Sequence, residues 1–73
     1  MERIHLGELI RRKRIARGMD VASLAEACDV NLVTIYRIER GGSTPMLWLF
    51  ARIIQALDWD PADAVSVAAQ ERR

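Results

Sequence analysis

The stretch VNLVTIYRIERGG, from Val30 to Gly42, combines guanidinium, phenol and aliphatic side chains at helical spacing. The guanidinium of Arg37 can bond guanine O6 and N7 together, and Tyr36 can reach a base edge or a phosphate. Leu32 and Val33 carry no hydrogen-bonding group, but the methyl group of thymine offers them apolar surface in the major groove. We therefore expect these side chains to recognise thymine methyls and a guanine through few hydrogen bonds.

The same segment has a second, apolar side. At about 100° per residue, four positions fall together and are expected to face a core: Val30, Thr34, Ile35 and Ile38. The remaining face is not needed for packing. A short helix that follows another after a tight turn is the arrangement in which the second helix enters the DNA major groove by its N-terminal part. The alternative is that Leu32 and Val33 contact a partner protein.

The whole chain is predicted to be helical. Apolar residues recur at three- and four-residue steps, and no segment alternates apolar and polar residues over the length of a strand. Gly18 is expected to end the first helix, and Asp20 to cap the second. Asn31 caps the third, and Asp60 the fifth. The five expected helices run from Leu6 to Gly18, from Val21 to about Cys28, from Asn31 to Arg40, from Pro45 to Leu57 and from Pro61 to about residue 70.

These segments resemble, in order, the lambda-repressor-like or XRE helix-turn-helix family. The matching segments are LGELIRRKRIARGM, SLAEACDV, TIYRIERG and TPMLWLFARIIQALDWDP, within residues 6 to 61. The resemblance implies a compact five-helix domain that binds duplex DNA, commonly as a symmetric dimer. Three positions depart from the family. Val21 replaces a usual glutamine, Asp29 replaces the glycine of the turn, and Leu32 replaces a polar recognition residue.

The resemblance assigns roles to several further residues. The expected DNA contacts are Asn31, Leu32, Val33, Tyr36, Arg37, Arg40, Ser43 and Thr44, the last three through the phosphate backbone. Arg14 and Glu39 match a pair that joins the first helix to the third by a partly buried salt bridge. The alternatives are a merely polar loop for Arg40, Ser43 and Thr44, and two independent surface charges for the pair.

One small domain, residues 1–73, accounts for the whole chain, with the helix-turn-helix at about 21–40. A domain of this size buries only about 60 to 65% of the surface that its unfolded chain exposes, so self-association is the expected reinforcement. Trp48 is a candidate for the contact between subunits. The apolar strip of the fifth helix, at about 61–70, is another and includes Val65 and Ala68. Packing within one subunit is the alternative for that strip.

Five of the eleven basic residues fall within seven positions: Arg11, Arg12, Lys13, Arg14 and Arg17. Such a cluster is typical of a solvated helix face, and phosphate binding is the alternative. The net charge of +1 by itself indicates no partner.

Catalysis has little support in the sequence. His5 has no Ser or Cys placed to pair with it, and the lone Cys28 is expected to fill a gap in the core. One Cys and one His make no zinc site, and Asp58, Asp60 and Asp63 lack the spacing of a calcium loop. We expect no metal, no cofactor, no small-molecule ligand and no enzyme activity.

The expected function is a transcription regulator, most simply a repressor that binds a palindromic operator as a homodimer. No apolar run approaches the length of a membrane span, and the N-terminus lacks the order of a signal peptide, so a cytoplasmic location is expected. Without a sensor domain, regulation would follow from the protein's own concentration. That pattern suits small phage Cro-like repressors and restriction-modification controller proteins. A protein-binding module, such as an antitoxin, is the alternative.

Overall fold

The computed structural model describes residues 5–70, which form five α-helices. The helices are α1 (Leu6–Ala16), α2 (Val21–Cys28), α3 (Leu32–Glu39), α4 (Leu47–Ala56) and α5 (Pro61–Gln70). No strand occurs in this part of the chain. The all-α, five-helix prediction is confirmed. None of the described helices is both long enough and apolar enough to cross a lipid bilayer.

Three helices begin at the capping residues that the sequence indicates. The side chains of Asp20 and Asn31 each accept a backbone N–H of the following helix at 2.8 Å. Asp60 accepts one at 2.9 Å before α5. These bonds occupy donors that a helix start otherwise leaves without a partner. Hydrogen bonds from the side chain and the backbone of Ser23 lower the pKa of the Asp20 carboxyl, because they favour its charged form.

Four helices end next to a residue in the left-handed conformation: Gly18, Asp29, Gly41 and Asp58. Gly18 has φ 72°, where glycine carries no steric penalty. Asp29 has φ 58° at the end of α2, and the next N–H, that of Val30, donates to the carbonyl of Ala25 at 3.0 Å. Aspartate enters this conformation more readily than most residues. The tight turn between α2 and α3 therefore forms without the usual glycine.

Five helix boundaries differ from the prediction, none by more than two residues, and α1 ends at Ala16 rather than at Gly18. α3 ends at Glu39, and Arg40 is its C-cap. α4 begins at Leu47 rather than at Pro45, because Met46 is extended, with ψ 161°, and its carbonyl accepts the first helical hydrogen bond from Phe50. Residues 41–46 therefore form a longer loop than expected between α3 and α4.

The core joins all five helices. Its fully buried side chains are Ile10, Leu24, Cys28, Ile35 and Ile53, and α5 adds Ala64. Trp59 is also buried and meets Phe50 edge to face, with ring centroids 6.2 Å apart. Cys28 does fill the core, where burial raises the pKa of its thiol.

Candidate nucleic-acid interface

The face of α3 that points away from the core is exposed. Leu32 is 50% exposed, Val33 46% and Tyr36 48%, and Arg37 and Arg40 are exposed with them. Ile35 and Ile38 are buried on the opposite side. The structure thus brings the five predicted contact residues of this helix to one surface, as the helical period requires.

Three polar side chains of this surface already make hydrogen bonds within the protein. Arg40 Nη1 donates to the Tyr36 hydroxyl at 2.7 Å. Asn31 Oδ1 accepts the N–H of Val33, which leaves only its amide NH₂ for another contact. Arg37 has no side-chain partner within residues 5–70, so its fork is available to an incoming ligand.

The loop after α3 adds hydroxyl groups to one end of the surface. Ser43 and Thr44 are exposed and line a shallow concavity together with Arg40. His5, at the N-terminus of α1, lines the same concavity and lies beside Gly41. Donors of these kinds commonly contact phosphate oxygens.

A buried ion pair lies behind α3. Arg14 Nε donates to Glu39 Oε2 at 2.7 Å, and Nη2 donates to Oε1 at 3.0 Å. Arg14 Nη1 also donates to the carbonyl of Met19 at 2.7 Å. Arg14 is 8% exposed and Glu39 6%. The hydrogen bonds to Glu39 raise the pKa of Arg14 and outweigh desolvation, which acts in the opposite direction. The pair joins α1 to α3 by a two-point contact.

Most of the basic cluster on α1 is engaged within the protein. Besides Arg14, the guanidiniums of Arg11 and Arg12 lie 3.7 and 3.1 Å from Glu8. The Lys13 ammonium lies 5.2 Å from the ring centroid of Trp59. Only Arg17 has no such contact among the described residues. The local contacts therefore favour a solvated helix face over a phosphate-binding cluster.

The three candidates for a subunit contact do not share one surface. Val65 and Ala68 line an apolar groove between α4 and α5, together with Leu47, Phe50 and Ala69. Leu47 is 83% exposed at the rim. Trp48 does not line this groove, and the Arg52 guanidinium lies 5.1 Å from its ring centroid. The residues predicted to form a subunit contact therefore lie at two separate places, the groove with Val65 and Ala68 and the half-exposed Trp48.

Residues 5–66 match the protein family described as a helix-turn-helix domain. The chain belongs to this helix-turn-helix family. The match spans most of the chain and contains α2, α3 and the turn between them. The resemblance to the lambda-repressor-like family is thereby confirmed.

Solved structures of helix-turn-helix regulators are similar to most of this chain. The clp gene regulator ClgR from Corynebacterium glutamicum is 32% identical with a TM-score of 0.79, over 90% of this chain and 70% of that one. A second ClgR structure gives 32% identity and a TM-score of 0.77, over 89% and 83% of the two chains. The restriction-modification controller protein C.AhdI from Aeromonas hydrophila is 25% identical with a TM-score of 0.76, over 81% of this chain and 89% of that one. A comparison with curated protein sequences gave no significant match.

The helix-turn-helix surface contains one residue that sequence reasoning assigned no role. His5, considered from the sequence only as an unsupported catalytic residue, adjoins the loop that carries Ser43 and Thr44. No spacing rule links positions so distant in the chain. Within residues 5–70, no group of His, Cys, Asp and Glu side chains is placed to hold a metal ion.

Proposed function

We propose that this helix-turn-helix protein is a repressor that binds a palindromic operator with α3 in the major groove. The family and the regulator neighbours support the coarser function, a DNA-binding transcription regulator. The observation that carries the proposal is the exposed face of α3, which combines a guanidinium fork with aliphatic side chains. A core helix does not need such a face.

The proposed contacts have separate tasks. Arg37 bonds guanine O6 and N7, and Leu32 and Val33 contact thymine methyls. Arg40, Ser43 and Thr44 bond phosphate oxygens and fix the register without reading sequence. Behind them, the Arg14–Glu39 pair sets the orientation of α3 against α1.

A homodimer completes the proposal. Two copies related by a twofold axis bind two half-sites one helical turn apart, which makes the operator a pseudo-palindrome. The apolar groove with Val65 and Ala68 supports this assembly, since it offers hydrocarbon to a second copy. Trp48 is the other candidate contact. The protein would act in the cytoplasm, on DNA alone, without a cofactor or a small-molecule effector.

Selection of bound duplexes from a random pool, at two salt concentrations, tests the proposal. We expect one enriched motif with two inverted half-sites, each with a guanine. Binding to phosphates alone would give a steep dependence on salt and no enriched motif. That result would contradict sequence-specific recognition.

A protein-binding module is the second candidate function. The observation in its favour is the exposed hydrocarbon at the start of α4, where Met46 is 69% exposed and Leu47 83%. A stable complex with another protein, together with weak affinity for every duplex, would favour this candidate.

A further inference from the structure

The first turn of α3 offers mostly hydrocarbon to a ligand. Leu32 and Val33 are about half exposed, and neither side chain can donate or accept a hydrogen bond. The carbonyl oxygen of the Asn31 side chain is occupied by the N–H of Val33. The Tyr36 hydroxyl already accepts a bond from Arg40. The available polar group at this end of α3 is the amide NH₂ of Asn31, so most of the surface that the first turn offers to the groove is apolar.

The apolar feature of the major groove is the methyl group at C5 of a pyrimidine. Thymine carries it and cytosine does not. A cytosine methylated at C5 carries the methyl at the same ring position and still pairs with guanine. Hydrocarbon on α3 therefore meets the same group in thymine and in 5-methylcytosine.

The position of Arg37 adds a neighbouring guanine to this pattern. Val33 and Arg37 are one helical turn apart on the same face, about 6 Å along the helix axis. Successive bases along a DNA strand are about 3.4 Å apart, so a separation of about 6 Å lies between one and two base steps. The long side chain of Arg37 can cover the difference and reach the base pair next to the one that Val33 contacts. Both a thymine–guanine step and a 5-methylcytosine–guanine step present a methyl followed by guanine O6 and N7.

We infer that α3 recognises 5-methylcytosine as well as thymine before guanine, so that methylation of cytosine strengthens binding. The inference rests on the proposed function, because it requires α3 in the major groove. It goes further in naming a modified base as a ligand. A site with cytosine before guanine binds weakly until the cytosine is methylated.

The test uses the selected operator with one pyrimidine changed, in two matched pairs of duplexes. The first pair has thymine or uracil opposite adenine, and the second has 5-methylcytosine or cytosine opposite guanine. In each pair the methylated member should bind about fourfold more tightly, the effect of one methyl group removed from water. Kd values from fluorescence anisotropy supply the two ratios.

Variants of α3 test whether its side chains cause the tighter binding of the methylated duplexes. Leu32→Ala or Val33→Ala should bring both ratios towards one, and these exposed positions should leave the melting temperature nearly unchanged. The control is Ser43→Ala in the loop, which should weaken all four duplexes alike and preserve both ratios.

Three results would overturn the inference. A ratio of one for the cytosine pair, with the thymine preference intact, shows that methylcytosine is not recognised although the proposed function stands. An enriched motif that lacks a pyrimidine–guanine step would also overturn this inference and leave the proposed function standing. Binding with no enriched motif overturns the proposed function and this inference together.

Discussion

Arg37 is exposed and lies on the same face as Val33, one turn further along α3. A guanidinium in this position can act as a specific fork on guanine or as a positive charge near a phosphate. The two roles differ in what they do to random DNA, since a phosphate contact strengthens binding to every sequence.

Arg37→Ala should therefore weaken operator binding by about 1 to 3 kcal/mol and leave binding to random DNA almost unchanged. Anisotropy titrations with both duplexes measure the two losses. Arg11→Ala is the control, because it removes one positive charge from an exposed position on α1. Equal losses on operator and random DNA would make Arg37 a phosphate contact.

Arg14 and Glu39 form a buried ion pair, and each depends on the other to balance its charge. Both side chains are more than nine-tenths buried, and Arg14 bonds Glu39 at two points. Removing one member of such a pair leaves the other charge buried without its partner. The loss of folding stability in such a variant arises more from the buried, unpaired charge than from the lost hydrogen bonds.

Glu39→Gln should destabilise the fold by up to about 3 to 5 kcal/mol and weaken operator binding. Simple electrostatics predicts the opposite for binding, because the variant loses a negative charge. The double variant Arg14→Met with Glu39→Leu should recover much of the stability, since no unpaired charge remains. Thermal unfolding followed by circular dichroism measures both. Parent-like melting with tighter DNA binding in Glu39→Gln would contradict this role of the pair.

At the scale of the helices, α1 approaches α3 closely at Gly7. A Cβ on Gly7 would overlap the carbonyl oxygen of Ile38 and lie 3.0 Å from that of Glu39. Because both atoms belong to backbone, neither can rotate away. Gly7 therefore permits the contact that brings the end of α3 against the start of α1.

Gly7→Ala should lower the melting temperature, although alanine is the better helix former by about 1 kcal/mol. A lower melting temperature would show that the steric overlap outweighs helix propensity, and a higher one would show the reverse. Gly42→Ala is the control, because its Cβ would lie at an ordinary 3.7 Å from the Arg37 carbonyl oxygen. A stabilising effect of Gly7→Ala would show that α1 and α3 are further apart than described.

The cap of α2 should make stability depend on pH. Folding lowers the pKa of Asp20 below its ordinary value through the hydrogen bonds from Ser23. The stabilisation is therefore complete above the unfolded pKa, about 4, and decreases as pH falls through the lower folded pKa. Asp20→Asn keeps a capping oxygen that does not titrate. The difference in melting temperature between parent and variant should shift in favour of the variant as pH falls, and a constant difference would contradict the linkage.

At the scale of the whole molecule, the apolar groove between α4 and α5 is the proposed contact with a second copy of the chain. Val65→Glu would place a charge among its apolar side chains and should shift a dimer towards monomer, measured by sedimentation equilibrium. Ser66→Glu is the control, since it adds the same charge to an exposed neighbour that does not line the groove. Trp48→Glu tests the other candidate surface. A dimer unaffected by both Val65→Glu and Trp48→Glu would exclude these positions from the interface.

A dimer that presents two copies of α3 to one face of DNA should hold them about 34 Å apart. The spacing of the operator half-sites measures this distance independently. Half-sites at a different spacing would exclude such a symmetric dimer.

The local sequence determined the five helices, and it placed their ends to within two residues. Apolar spacing predicted five helices, and Asp20, Asn31 and Asp60 cap the helices as expected. It also separated the buried Ile35 and Ile38 from the exposed face of α3. These features follow from contacts within a few residues, which the order of side chains specifies directly.

Only the tertiary structure decided which of several side chains of the same type are buried and which distant residues they contact. Arg14 is buried while Arg11 and Arg12 remain exposed. Helical spacing places Arg14 on the face of Leu6 and Ile10, but it names no partner, and only the family resemblance indicated the pair with Glu39. Trp59 enters the core whereas Trp48 stays half exposed. The meeting of His5 with the loop after α3 likewise had no signal in the sequence. In each case the outcome depends on which distant segment lies nearby, and that is fixed only when the helices pack.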